Sequence, residues 1–256
     1  MLVVIRFRIG GSLRFLSHVE TMRVFQRACV RAGVQIAYSQ GFNPHQRMSL
    51  VPPRSVGVES DDDMLCLWLK EGQTAIDVES LKDELSALGE TSPVPKGRGG
   101  PSACGETSPS LRDGGAGIEI ISVETSEAKK IPEPISARYV LKVQSHKIDD
   151  GVRKCITDML AGDKIVVNRR AGENSRTKAV DVRPFLETIK WEPSAEAGAS
   201  ARPRHPLGMT GGEFTVDCKI SPAGTIRIDE ILGLLQLKTA DLAGPVRRTS
   251  VQWKGI

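Results

Sequence analysis

Val3 to Ile9 opens on apolar residues and then alternates Ile5, Phe7 and Ile9 with Arg6 and Arg8, which predicts a strand. A helix follows. Ser17-His-Val-Glu20 is a capping box, in which the serine oxygen and the glutamate each take a backbone N–H left free in the first turn. Met22, Phe25, Cys29 and Ala32 then recur at helical spacing, and Gly33 supplies the stop. Val34 to Tyr38 and Met64 to Leu69 read as strands. Asp77 caps a second helix with Val78, Leu81, Leu85 and Leu88 on one face, and Ile118 to Val123 gives a further strand. The order is βαββαβ, the split βαβ unit of a ferredoxin-like sandwich.

The second half shows a related pattern. Arg138 to Val143 is expected as a strand, and Asp149 or Asp150 as the cap of a helix burying Val152, Cys155, Ile156, Met159 and Leu160. Strands are expected at Lys164 to Asn168 and Lys178 to Pro184, joined by a polar turn, and again at Glu213 to Ile220. Asp229 is expected to cap a helix over Glu230 to Leu237, and Val246 to Trp253 closes as a strand. Two stretches break the pattern. Residues 89–117 are rich in Gly, Ser, Pro and Thr and read as a disordered insertion, and residues 194–212 read as a flexible linker. The expectation is α+β: two tandem ferredoxin-like sandwiches, spanning 1–127 and 128–256.

Composition narrows the class. At 256 residues, 39% hydrophobic and 26% charged, the chain reads as soluble and globular. The apolar run at the start is too short for a signal peptide and no stretch is long enough to span a membrane, so a cytoplasmic location without membrane contact is expected. The five cysteines (29, 66, 104, 155, 218) have no CxxC spacing, which argues against a zinc ribbon or iron–sulfur cluster. No phosphate-binding P-loop, dinucleotide turn or Gly-x-Ser-x-Gly elbow is present, and no metal or cofactor is implied.

The net charge of +4 is modest, but its distribution is not even. From Arg14 to Arg54 there are six arginines (14, 23, 27, 31, 47, 54) against the single acid Glu20. Arg23, Arg27 and Arg31 are four apart and form one stripe on the exposed side of the first helix. A solvated helix face ordinarily mixes signs, and here Glu20 is occupied by capping, so the stripe points to an anionic partner. The loop beyond it adds hydrogen-bonding groups in Gln40, Asn43, His45, Gln46 and Arg47, with Tyr38 and Phe42 as faces on which a base can stack. His18 and His45 raise the alternative of acid–base RNA cleavage, but no further catalytic partner stands at motif spacing. Asp61-Asp-Asp63 reads as a solvated turn rather than a metal site. In the second half Arg169, Arg170, Arg176, Lys178 and Arg183 form a basic hairpin and its return strand, where Asp181 and Arg183 can pair. Arg247 and Arg248 begin the last strand and alternate to opposite faces.

The strings Arg14-Phe-Leu-Ser-His-Val-Glu-Thr-Met-Arg23, Tyr38-Ser-Gln-Gly-Phe-Asn-Pro-His45 and Gly57-Val-Glu-Ser60 resemble the bacterial radical-SAM-associated (radical-SAM-linked) domain family. Lys178-Ala-Val-Asp-Val-Arg-Pro184 and Val246-Arg-Arg-Thr249 are similar to its later blocks, while Gln46 stands where the family pattern has proline. The family carries no established activity. What the resemblance implies is a partner, a B12-binding radical SAM protein, since this chain has no Cys-x3-Cys-x2-Cys motif of its own. The split sandwich with a basic helix also resembles repeat-RNA-processing ribonucleases, a likeness of fold alone. Together these readings lead to an expected RNA-binding or substrate-docking protein, not itself catalytic. Arg23, Arg27 and Arg31 are expected to hold phosphates, and Phe42, Asn43, His45 and Arg47 to contact the nucleotide or partner. A metal-independent endoribonuclease using His18 and His45, and a pure protein-interaction module, are the alternatives.

Overall fold

The computed structural model describes residues 1–73, 75–86, 117–126, 130–144, 150–171, 176–193 and 212–254. In the first half, β1 (Leu2–Ile9) leads through a 3-10 turn into α1 (His18–Arg31), followed by β2 (Met48–Val51), β3 (Glu59–Trp68), α2 (Val78–Ser86) and β4 (Ile118–Ser126). The α1 boundaries follow from local chemistry. Glu20 N–H donates to Ser17 Oγ and Ser17 N–H to Glu20 Oε2, closing the capping box. At the other end Gly33 takes φ +68°, and the N–H groups of Gly33 and Val34 turn back to the carbonyls of Val30 and Cys29. In α2, Ser80 N–H donates to Asp77 Oδ1 at 3.1 Å, the cap expected of Asp77.

The second half runs β5 (Glu133–Val143), α3 (Asp150–Ala161), β6 (Val166–Ala171), β7 (Arg176–Asp181), β8 (Leu186–Pro193), β9 (Gly212–Lys219), α4 (Ile228–Leu234) and β10 (Arg247–Lys254). Strands of the first half lie in the order β4-β1-β3-β2 and those of the second in the order β10-β5-β9-β8, antiparallel throughout. A short parallel pairing of β10 with β3 (Arg247 opposite Glu59, Arg248 opposite Ser60) joins them into one eight-stranded sheet. The result is a mixed α/β fold with a large, mostly antiparallel sheet and four α-helices among the described residues. Each half keeps its own core. Phe7, Phe25, Leu65, Leu67, Leu81 and Leu85 are sealed in the first, with the Phe7 and Phe25 rings edge to face at 4.7 Å. Leu141, Phe214, Val216, Ile231 and Leu235 are sealed in the second. No helix among the described residues is long and apolar enough to cross a membrane.

Several expectations need correction. Val34 to Tyr38 makes only isolated bridges, Ile36 with Leu69 and Tyr38 with Gln46; the strand beside β3 is Met48–Val51, ended by Pro52 and Pro53, which cannot both continue a ladder. Asp61 to Asp63 is no solvated turn but the interior of β3, with Asp62 7% and Asp63 1% exposed, because each aspartate meets an arginine. The basic segments around Arg169 and Lys178 pair only with each other, as the separate β6–β7 hairpin. The place in the large sheet goes to β8, whose Leu186 and Ile189 fill the core where Val166 would be left exposed. Finally, α4 starts at Ile228 rather than Glu230, and Glu230, not Asp229, accepts the Arg227 N–H at its start. The expected insertion at 89–117 and linker at 194–212 lie outside the described residues, apart from Gly117 and Gly212; so does Asp149.

Candidate functional site

The exposed face of α1 carries Arg23, Arg27 and Arg31, successive residues lying about 6 Å apart along the axis. Glu20 is committed to the cap. The Ser17 hydroxyl and N–H hold its carboxyl below the ordinary carboxylate value, and the nearby Arg23 charge adds to this. Arg31 reaches Glu84 of α2 at 3.4 Å, an exposed pair of little energetic weight. Among the described residues Arg23 and Arg27 have no ion-pair partner. With Gln26, Val30, Arg31 and Gln46 they line a groove of about 280 Å³.

Val30 and Gln46 also border a larger cleft of about 940 Å³, so the two hollows adjoin. Its walls include Tyr38, Arg47, Trp68, Lys70 and the acid Glu71. Backbone bonds fix this wall. Ala37 N–H donates to the Trp68 carbonyl, Arg47 N–H to Ala37, Trp68 N–H to Arg47 and Lys70 N–H to Gln35. The Arg47 guanidinium lies 4.7 Å over the Trp68 ring, a cation–π contact that keeps the arginine extended along the wall. Tyr38 is 57% exposed and Val30 63%, so the cleft presents flat apolar surface beside cations.

The loop beyond closes on itself, with Ser39 N–H donating to the His45 carbonyl at 2.7 Å and His45 N–H to Ser39 Oγ at 2.9 Å. Gly41, at φ +138°, allows the turn. Phe42 is fully exposed at its tip, and Gln40, Asn43 and His45 are exposed beside it. These four line neither hollow. Of the residues expected to act together, the structure gathers Arg23, Arg27, Arg31, Tyr38 and Arg47 around the adjoining hollows. His18 is exposed in the first turn of α1, and no groove described above contains both it and His45.

Two of the basic residues expected to act in the second half, Arg169 and Arg183, are engaged internally. Arg169 forks onto Glu230 at 2.7 and 2.9 Å and reaches the Thr225 carbonyl. Arg183 donates to the carbonyls of Leu160 and Gly162 at the C-terminal end of α3 and to that of Leu186 in β8. Its backbone N–H, rather than its guanidinium, meets Asp181. Lys178 is exposed on β7 opposite Arg169, and Arg170 lies in β6 opposite Thr177.

Sequence reasoning missed the part of Trp68 and Lys70 in the cleft, and it missed a buried charge network at the junction of the halves. Arg248, 1% exposed, donates to Asp63 at 2.5 Å, to Ser60 Oγ at 3.2 Å and to the Pro52 and Pro53 carbonyls. Ser60 also donates to Asp63. Burial works against the Arg248 charge, yet Asp63 and then Tyr139 hold its pKa above the ordinary arginine value. Arg54 approaches the same carboxylate at 3.8 Å and donates to the carbonyls of Arg14, Leu16 and Val58. Around it Asp62 pairs with Arg6 at 2.6 Å and Asp61 with Arg247 at 2.7 Å. The signal was available as an uninterrupted acidic run in one half and an arginine pair in the other.

Among the described residues no group of three or more His, Cys, Asp or Glu could hold a metal ion. No curated protein matches the chain. Residues 3–91, which include α1, the Ser39–His45 loop and β3, match a bacterial family described as "Uncharacterized protein conserved in bacteria (DUF2344)".

Proposed function

We propose that this chain is a docking protein that holds RNA by its phosphates along α1 and presents it to a separate enzyme. The observation that carries this reading is the line of Arg23, Arg27 and Arg31 on one groove, with two of the three guanidiniums lacking an ion-pair partner among the described residues. Cations left uncompensated on a concave surface are a phosphate-binding arrangement. The sequence resemblance adds the partner, a B12-binding radical SAM protein. In this reading each half is a ferredoxin-like unit, 1–127 and 128–256. The orders β4-β1-β3-β2 and β10-β5-β9-β8 support it, with the β6–β7 hairpin as an addition to the second unit.

The test is binding of a short RNA to the wild type and to an Arg23→Ala/Arg27→Ala/Arg31→Ala variant across 50–200 mM salt. Each lost phosphate contact on a single strand lowers the slope of log K against log salt by about 0.7, so the variant's slope falls by about 2. Equal and salt-insensitive affinities for the two proteins refute the reading. Co-purification with the radical SAM protein that survives nuclease treatment, without RNA affinity, points instead to a protein-interaction module.

A further inference from the structure

Resting on the phosphate-docking reading, we propose that the RNA is single-stranded at this site, with one unpaired base entering the cleft between Tyr38 and the Arg47–Trp68 stack. Three observations converge. First, the arginine groove and the cleft adjoin at Val30 and Gln46, so a backbone lying on Arg23 and Arg27 has the cleft beside it. Second, the cleft is of small-ligand size, about 940 Å³, ample for a nucleobase. Third, its surface suits a flat aromatic group next to an anion. Tyr38 and Val30 are more than half exposed, while Arg47 and Lys70 outweigh the one lining acid, Glu71. The Arg47 guanidinium carbon lies 4.7 Å over the Trp68 ring centroid, and a guanidinium is itself a plane on which a base can stack.

Other anions fit less of this surface. A duplex keeps its bases stacked inside and offers only phosphates and groove edges, which leaves Tyr38 and Trp68 unused. An acidic polypeptide satisfies the arginines, but only a nucleic acid carries a flat base beside every phosphate. Gln46, which borders both hollows, sits where the sugar–phosphate chain would turn toward the base, and its amide can both donate and accept.

The experiment compares a labelled 12-nucleotide unstructured RNA, the same RNA annealed to its complement, and polyglutamate of equal charge. The proteins are the wild type, Tyr38→Ala, Tyr38→Phe, Trp68→Phe and the triple arginine variant, with tryptophan emission recorded alongside affinity. The single strand is expected to bind at least ten-fold tighter than duplex or polyglutamate. It should also quench emission in the wild type, with the quench reduced in Trp68→Phe. Tyr38→Ala weakens it by roughly 5- to 100-fold, the loss of one stacked base, with the salt slope unchanged, and Tyr38→Phe restores binding. A slope that falls in Tyr38→Ala counts against a base contact. If duplex binds as tightly as single strand and both depend on the arginines, the base pocket is overturned while phosphate docking stands. If polyglutamate binds equally, an acidic protein is the partner and the base pocket falls. If wild type binds neither RNA, both readings fall together.

Discussion

Replacing Arg248 with methionine tests the reasoning about the junction of the two halves. The substitution keeps apolar bulk but strips Asp63, 1% exposed, of its 2.5 Å partner, and it leaves the Pro52 and Pro53 carbonyls without their donor. Breaking a buried ion pair from one side costs about 3–5 kcal/mol, because the remaining charge stays desolvated. Arg54, 3.8 Å from the same carboxylate, offsets part of this, so about 3 kcal/mol is expected. For a chain of this size that corresponds to a fall in Tm of about 6–12 °C. Asp63→Leu alone leaves Arg248 buried and costs a similar amount. The double variant Arg248→Met/Asp63→Leu should recover part of the loss, since apolar replacement of a buried pair is close to neutral while Arg54 stays buried without its counter-charge. Thermal unfolding followed by circular dichroism on the three variants completes a double-mutant cycle. An Arg248→Met protein melting within 2 °C of wild type, or a double variant whose loss equals the sum of the singles, refutes the account.

Other expectations follow from local geometry. Burial pushes the thiols of Cys29 and Cys218 up to about 12 and that of Cys66 up to about 11, so alkylation at pH 8 with peptide mapping should leave these three unmodified until denaturant is added. Arg183→Ala removes two carbonyl contacts at the end of α3 and one to Leu186 of β8 and should cost about 2–3 kcal/mol, with faster amide exchange in the last turn of that helix. Unchanged exchange there means the guanidinium is not the cap. The Arg138 hydrogen bond holds the Asp217 carboxyl below its ordinary value in the folded chain. Because the folded pKa is the lower one, this contribution is present above the unfolded value near pH 4 and disappears as pH falls through the folded value. The acid-side decline in stability should therefore be shallower in Asp217→Asn, as measured by Tm between pH 5 and 2.5.

The first helix was legible because everything that defines it lies within a few residues: the Ser17–Glu20 box, the apolar face and Gly33. The arginine stripe was legible for the same reason, since side chains four apart on a helix must share a face. What surrounds the stripe was not. Trp68 enters the cleft only because β3 ends against the Ala37–Arg47 segment through backbone bonds between residues about 20 to 30 apart. The β2 strand was misplaced because Val34–Tyr38 and Met48–Val51 have comparable patterns; pairing with Met64–Leu67 decides between them. In the second half the Arg169 and Arg183 side chains counted as free charge until Glu230 and the α3 carbonyls came within reach.

By itself, then, the sequence determined the first two helices with their caps, the alternation of the principal strands and the cationic face of α1, all consequences of short-range periodicity and backbone hydrogen bonding. Tertiary structure alone decided that both halves share one sheet, which arginines remain available, and that Asp61 to Asp63 are strand rather than turn. An aspartate run reads as solvated until opposite charge is placed beside it, and Arg248 lies 185 residues from Asp63. Such pairing depends on how the chain closes on itself, which no local pattern contains.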